Sequence, residues 1–177
     1  PAELTDVHRA LNEANEWVSA NRTSNPILIA LDQVRIVVGA AVGFFLALLS
    51  ESQYGMGYPE IGWLGVVALF TWIAWSAGNG RVAILTAVSF LIIGFQGLFT
   101  EAMATLAITI TAVLFALLIG IPLGVWAGLN ARVNRVITPV LDFMQTMPTF
   151  VYLTPLALIF LIGPAAAVIV TLIYAIP

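Results

Sequence analysis

Asp142, Gln145, Thr146 and Thr149 stand at i, i+3, i+4 and i+7, a spacing that puts four polar side chains on one face of a helix. Pro148 falls inside this stripe, and an apolar run follows it. An acid, an amide and two hydroxyls offer donors and acceptors to a polar solute. They do not make a nucleophile with a base beside it. Two readings stand. Asp142 and Gln145 can sit at the wet edge of a membrane and anchor the helix. Alternatively Gln145, Thr146 and Thr149 line a solute pathway, because a polar stripe entering hydrocarbon faces protein or water when facing lipid costs a few kcal/mol per charged group. Thr105 and Thr109 share a face one helical turn apart and could look into the same lumen. Hydroxyls bonded back to their own helix carbonyls explain that pair equally.

A second constellation is Gly120, Gly124 and Gly128, four apart, with Pro122 among them. Such glycines bare one strip of helix backbone to a close neighbour. They read either as static packing or as a pivot, since Pro122 removes one helix hydrogen bond and the glycines permit sliding. No catalytic set competes with these two features. The chain has no cysteine and one histidine, His8, which excludes thiolate chemistry and leaves no histidine metal site. Gly55-Met56-Gly57 lacks the further glycine and helix of a dinucleotide fingerprint.

The elements that carry these residues need lipid around them. Of 177 residues, 61% are hydrophobic and 8% charged, and the mean hydropathy is +1.04. Soluble domains are about 25% charged. No basic patch exists to hold nucleic acid.

Along the chain, residues 4–18 carry one narrow apolar stripe, with Thr5 or Asp6 as its cap and Trp17 at its edge. This predicts a short surface or interfacial helix. A polar linker, residues 19–26, follows. Six apolar segments come next: 27–49, 61–77, 82–100, 102–129, 149–162 and 165–176. The first either spans, with Asp32 and Arg35 snorkelling to one interface, or lies in the interface; its Gly39 and Gly43 form a GxxxG. Glu101 reads as an interruption, and the helix from 102 reads as broken near its end by Pro122. A short loop bearing Arg132 and Arg135 then leads through an amphipathic stretch, 136–147, to Pro148 and re-entry. The arginine loop, with Asp142, is expected to form a cytoplasmic elbow. All six basic residues are arginines. If each segment crosses once from a cytoplasmic N-terminus, all six lie inside and Glu51, Glu60 and Glu101 outside, as the positive-inside rule asks. If the first segment lies in the interface, the N-terminal tail and its three arginines move outside. Residues 165–176 reach only about 18 Å, so the sequence is expected to be the N-terminal part of a longer membrane protein.

From about Ala102 to Pro177 the sequence resembles the permease subunits of ATP-binding-cassette importers for glycine betaine, proline betaine, choline and related osmolytes. The strings that carry the resemblance are TLAITITAVLFALLIGIPLGVWAG, RVITPVLDFMQTMPTFVYLTPLALIF and IGPAAAVIVTLIYAIP; PVLDFMQTMPTFVYL is the most specific. The resemblance implies an all-α, polytopic type I importer subunit: an amphipathic helix and linker over 1–26, accessory membrane helices over 27–100, and the start of the permease core over 101–177. It implies a bacterial cytoplasmic membrane protein without a catalytic site or cofactor of its own. A partner ATPase would use ATP and magnesium, an extracytoplasmic binding protein would deliver solute, and a second permease copy would complete the pathway. The coupling loop and two further core helices would lie beyond Pro177. A quaternary ammonium solute calls for aromatic recognition; Tyr152 and Phe150 stand near the polar stripe, and Tyr152 is a further pathway-lining candidate. Two other classes remain open from the residues alone: a membrane anchor or assembly subunit, and half of a secondary transporter. The last predicts an internal repeat, which the two sets of three segments do not display.

Overall fold

The computed structural model describes residues 6–50 and 62–177, without the side chains of residues 6, 7, 149 and 150. Glu51 and Glu60, and the loop around them, lie outside the described residues. Among those described the chain is all helix: α1 (Asp6–Asn21), α2 (Pro26–Leu49), α3 (Trp63–Ala77), α4 (Gly80–Phe95), α5 (Phe99–Leu129), α6 (Ala131–Thr146), α7 (Thr149–Phe160) and α8 (Pro164–Ala175). Helices α1 and α6 are amphipathic; the other six are apolar. Large apolar side chains such as Leu85, Leu118 and Phe95 lie uncovered along the apolar helices. Lipid is the solvent that accepts such a surface, and helices satisfy their backbone polar groups internally. The protein is an all-α polytopic membrane protein.

Among the described residues two helices have the length to cross as single rods, and the bent pair α6–α7 would reach it only if taken together. Helix α2 has 24 residues and α5 has 31, about 36 Å and 46 Å against a hydrocarbon core of about 30 Å. Helices α3 and α4, with 15 and 16 residues, and α7 and α8, with 12 each, fall short as straight rods. They pack as two hairpins, α3 on α4 and α7 on α8.

Four expected breaks or boundaries change. The segment 82–100 stops at Phe95, because Gly97 adopts a left-handed φ of 73°. Leu98 N–H then donates to Ile93 O at 3.2 Å and Gly97 N–H to Gly94 O at 3.1 Å, closing the helix end in a Schellman motif. Glu101 does not interrupt; it sits in the first turn of α5, where a carboxylate suits the positive end of the helix. Pro122 does not end α5, which continues to Leu129. One lost hydrogen bond is tolerable when the flanking turns hold the helix. Nor do Arg132 and Arg135 lie in a loop. Asn130 alone separates α5 from α6: its Oδ1 accepts from Arg132 N at 2.9 Å and Val133 N at 3.3 Å. That cap starts α6 five residues before the expected amphipathic stretch.

The chain divides into two compact units, residues 1–40 with 112–177, and residues 41–111. In the second, Leu49, Val66 and Met103 form the buried centre, with Phe70, Phe90 and Phe99 packed against it. Phe70 stacks on Phe90 with ring centroids 5.3 Å apart, and Trp63 meets Phe99 edge-on at 6.4 Å. Gly94 leaves room for Trp63, since a Cβ there would lie 3.2 Å from its ring. In the first unit, α7 packs on α8 and α1, and α8 also touches α6. Ala165, Ala166 and Val168 supply its buried small face.

Candidate functional site

The elbow around α5, α6 and α7 carries the residues singled out in the sequence. Helix α6 ends at Thr146 and α7 begins at Thr149, with their axes at 103°. The i+7 step from Asp142 to Thr149 therefore does not run along one helix. Asp142, Gln145 and Thr146 stay together at the end of α6, and the rest of the chain leaves all three exposed. Thr149 opens α7, and its side chain lies outside the described residues, as does that of Phe150. Pro148 caps α7 with φ −58° and ψ 139°, extended values that stop α6 from continuing.

Tyr152 braces this bend. Its hydroxyl lies 3.2 Å from Met144 O and 3.4 Å from Phe143 O, two of the last four carbonyls of α6, and donates to one or the other. Such carbonyls have no partner inside their helix. Thr146 Oγ1 also donates to Phe143 O, at 3.1 Å. The half-buried tyrosine thus pins the start of α7 to the end of α6.

On α5, a Cβ on Gly120 would lie 3.9 Å from Ile176 O, while at Gly124 and Gly128 it would meet nothing within 4 Å among the described residues. The glycine strip is approached at one end by the chain itself, and no other described residue covers the rest. Pro122 lies exposed between the first two. Arg132 and Arg135 are exposed on α6. Thr105 Oγ1 donates to Glu101 O and Thr109 Oγ1 to Thr105 O, at 2.9 and 2.8 Å, so both hydroxyls are spent on their own helix.

The linker between α1 and α2 supplies a group that sequence spacing did not flag. Arg22 Nη2 donates to Ile159 O at 2.9 Å and Leu158 O at 3.4 Å, near the C-terminus of α7. Its Nη1 donates to Asp32 Oδ1 at 3.1 Å, and Arg35 Nε donates to the same oxygen at 2.7 Å. A guanidinium at a helix C-terminus satisfies orphan carbonyls and meets the negative end of the helix dipole. Asp32 and Arg35 therefore do more than snorkel: they hold Arg22 at the end of α7. The contact also places the start of α2 and the end of α7 at one level. Single crossings with all six arginines inside would put them on opposite sides, so that topology does not hold for Arg22. The linker lies on the side of the α7–α8 turn.

No protein-family model matches the chain. The curated relatives are informative. Over 174 residues, 98% of the chain, it is 43% identical to the glycine betaine/proline betaine transport system permease protein ProW of Escherichia coli. It is 38% identical over 109 residues, 62% of the chain, to the glycine betaine transport system permease protein OpuAB of Bacillus subtilis. It is 37% identical over 118 residues, 65% of the chain, to the glycine betaine/carnitine transport permease protein GbuB of Listeria monocytogenes. The chain is a homologue of the glycine betaine/proline betaine transport permeases. It spans about half the length of the first of these permeases, 47%, and 39% and 42% of the other two. The first match takes in α1 to α8, so the permease resemblance is not confined to the elbow.

Proposed function

We propose that the chain is part of the membrane-spanning subunit of an ATP-driven importer of compatible solutes. The observation that carries this is the 43% identity to a permease over 98% of the chain. The named relatives move glycine betaine, proline betaine or carnitine, solutes that pair a quaternary nitrogen with a carboxylate. A solute of that class is the proposed cargo. Gln145 and Thr146, uncovered at the end of α6, line the pathway together with Thr149. Tyr152 sets the angle at which α7 leaves them. The subunit itself has no catalytic site. ATP and magnesium act in a partner ATPase, an extracytoplasmic binding protein delivers the solute, and a second permease copy faces the glycine strip. The setting is the bacterial cytoplasmic membrane.

The test is uptake of radiolabelled glycine betaine by cells that lack their own betaine importers and express the full-length gene with its neighbouring ATPase and binding protein. Saturable uptake that stops when the ATPase is inactivated supports the proposal. Normal membrane insertion with no uptake of betaine, proline betaine or carnitine favours the anchoring role instead.

A further inference from the structure

Two corners of the protein repeat one eight-residue pattern. Residues 75–82 read WSAGNGRV and residues 126–133 read WAGLNARV, so Trp, Asn, Arg and Val recur at the same offsets. Each string spans the end of one apolar helix and the start of the next, α3 to α4 and α5 to α6. The local structure repeats too. Asn79 Oδ1 accepts from Arg81 N and Val82 N, both at 3.1 Å, as Asn130 does from Arg132 N and Val133 N. Each arginine therefore stands on the second residue of a helix whose first amides are already taken. Among the described residues neither Arg81 nor Arg132 has an ion pair.

Beside each corner the surface is grooved. Trp126, Arg132, Val133 and Ile137 wall a cleft of about 320 Å³ at the second. At the first, Thr71, Trp72, Trp75, Gly80 and Ile84 line a wide, shallow groove of about 520 Å³, and Arg81 follows directly on Gly80.

An apolar groove, tryptophans that favour the headgroup level and a free guanidinium describe one kind of occupant. We propose that each of these corners holds one anionic phospholipid, with an acyl chain in the groove and the phosphate on the arginine. The helix amides take no part, because Asn79 and Asn130 occupy them. This assignment needs only a membrane and is independent of the solute carried.

The test uses the full-length protein in lipid nanodiscs with phosphatidylglycerol or phosphatidylcholine carrying a photoactivatable acyl chain, followed by peptide mapping. Phosphatidylglycerol should label both corners about fivefold more than phosphatidylcholine, the value of one arginine near a charged headgroup. Arg81→Gln should cut labelling at the first corner about fivefold and spare the second. Arg132→Gln should do the reverse, and Arg→Lys should retain the label. Equal labelling by the two lipids on the unaltered protein, a comparison that needs no variant, overturns the proposal. So does labelling unchanged in both glutamine variants. Displacement of the label by free glycerol phosphate would make these phosphate sites rather than lipid sites and would also overturn it.

Discussion

Arg22 and Tyr152 act on the same kind of weakness, the unpartnered carbonyls at a helix end. Arg22 serves α7 and Tyr152 serves α6. Their removal should have different costs. Arg22→Ala deletes charge-assisted bonds worth about 1.5–3 kcal/mol and leaves the α7 terminus bare. Thermal unfolding in detergent should shift down accordingly, and a cysteine pair across the α1–α2 linker and the end of α7 should cross-link less. Tyr152→Phe deletes one neutral bond, about 1 kcal/mol. Spin-label distances between α6 and α7 should broaden while insertion stays normal. An unchanged distance distribution would show that Pro148 alone fixes the bend. Neither role was legible in the sequence. Arg22 lies 136 and 137 residues from its carbonyl partners, and no periodicity reports such a separation. By contrast the Asp32–Arg35 pair, three apart on one helix, was open to reading.

Helix existence was legible throughout, because 61% hydrophobic residues in long runs leave few alternatives. Helix ends were less so, and the misses have local causes. Gly97 and Asn130 both carry known stop and start signals, but each stands in an apolar stretch where hydropathy drowns a single residue. The caps can be weighed directly. Asn79→Ala and Asn130→Ala should each destabilise by about 1 kcal/mol, read as equal losses in unfolding temperature; a markedly larger loss at Asn130 would mean that the α5–α6 corner carries load beyond its cap. Leu161 gives the opposite case. It holds φ 63° between α7 and α8, a conformation that glycine adopts freely and leucine does not. Leu161→Gly should therefore leave stability unchanged or raise it by up to about 1 kcal/mol, unless the leucine side chain packs on something outside the chain.

For the molecule as a whole, the glycine strip separates internal packing from assembly. A Cβ at Gly124 meets nothing among the described residues, so Gly124→Leu should leave insertion and unfolding temperature intact. A severalfold loss of betaine uptake in that variant would then report a neighbour from another copy or another segment, and uptake at the unaltered rate would remove the strip from the transport cycle. The polar stripe shows where reading by period reaches its limit. Asp142, Gln145 and Thr146 share the end of one helix as their spacing says, yet the 103° turn at Met147-Pro148 takes Thr149 off that line. Proline announced a break; only the three-dimensional arrangement gives its angle.

The grip of Arg22 on α7 also orders events in time. The arginine leaves the ribosome 136 residues ahead of the first carbonyl it will hold, an interval on the order of ten seconds at usual elongation rates. Through that wait Asp32 is the counter-charge at hand, and the early helices must be parked in the bilayer with their final fastening unmade. Translation that stalls between α2 and α7 would strand that half-fastened intermediate, and membrane proteases would meet it first.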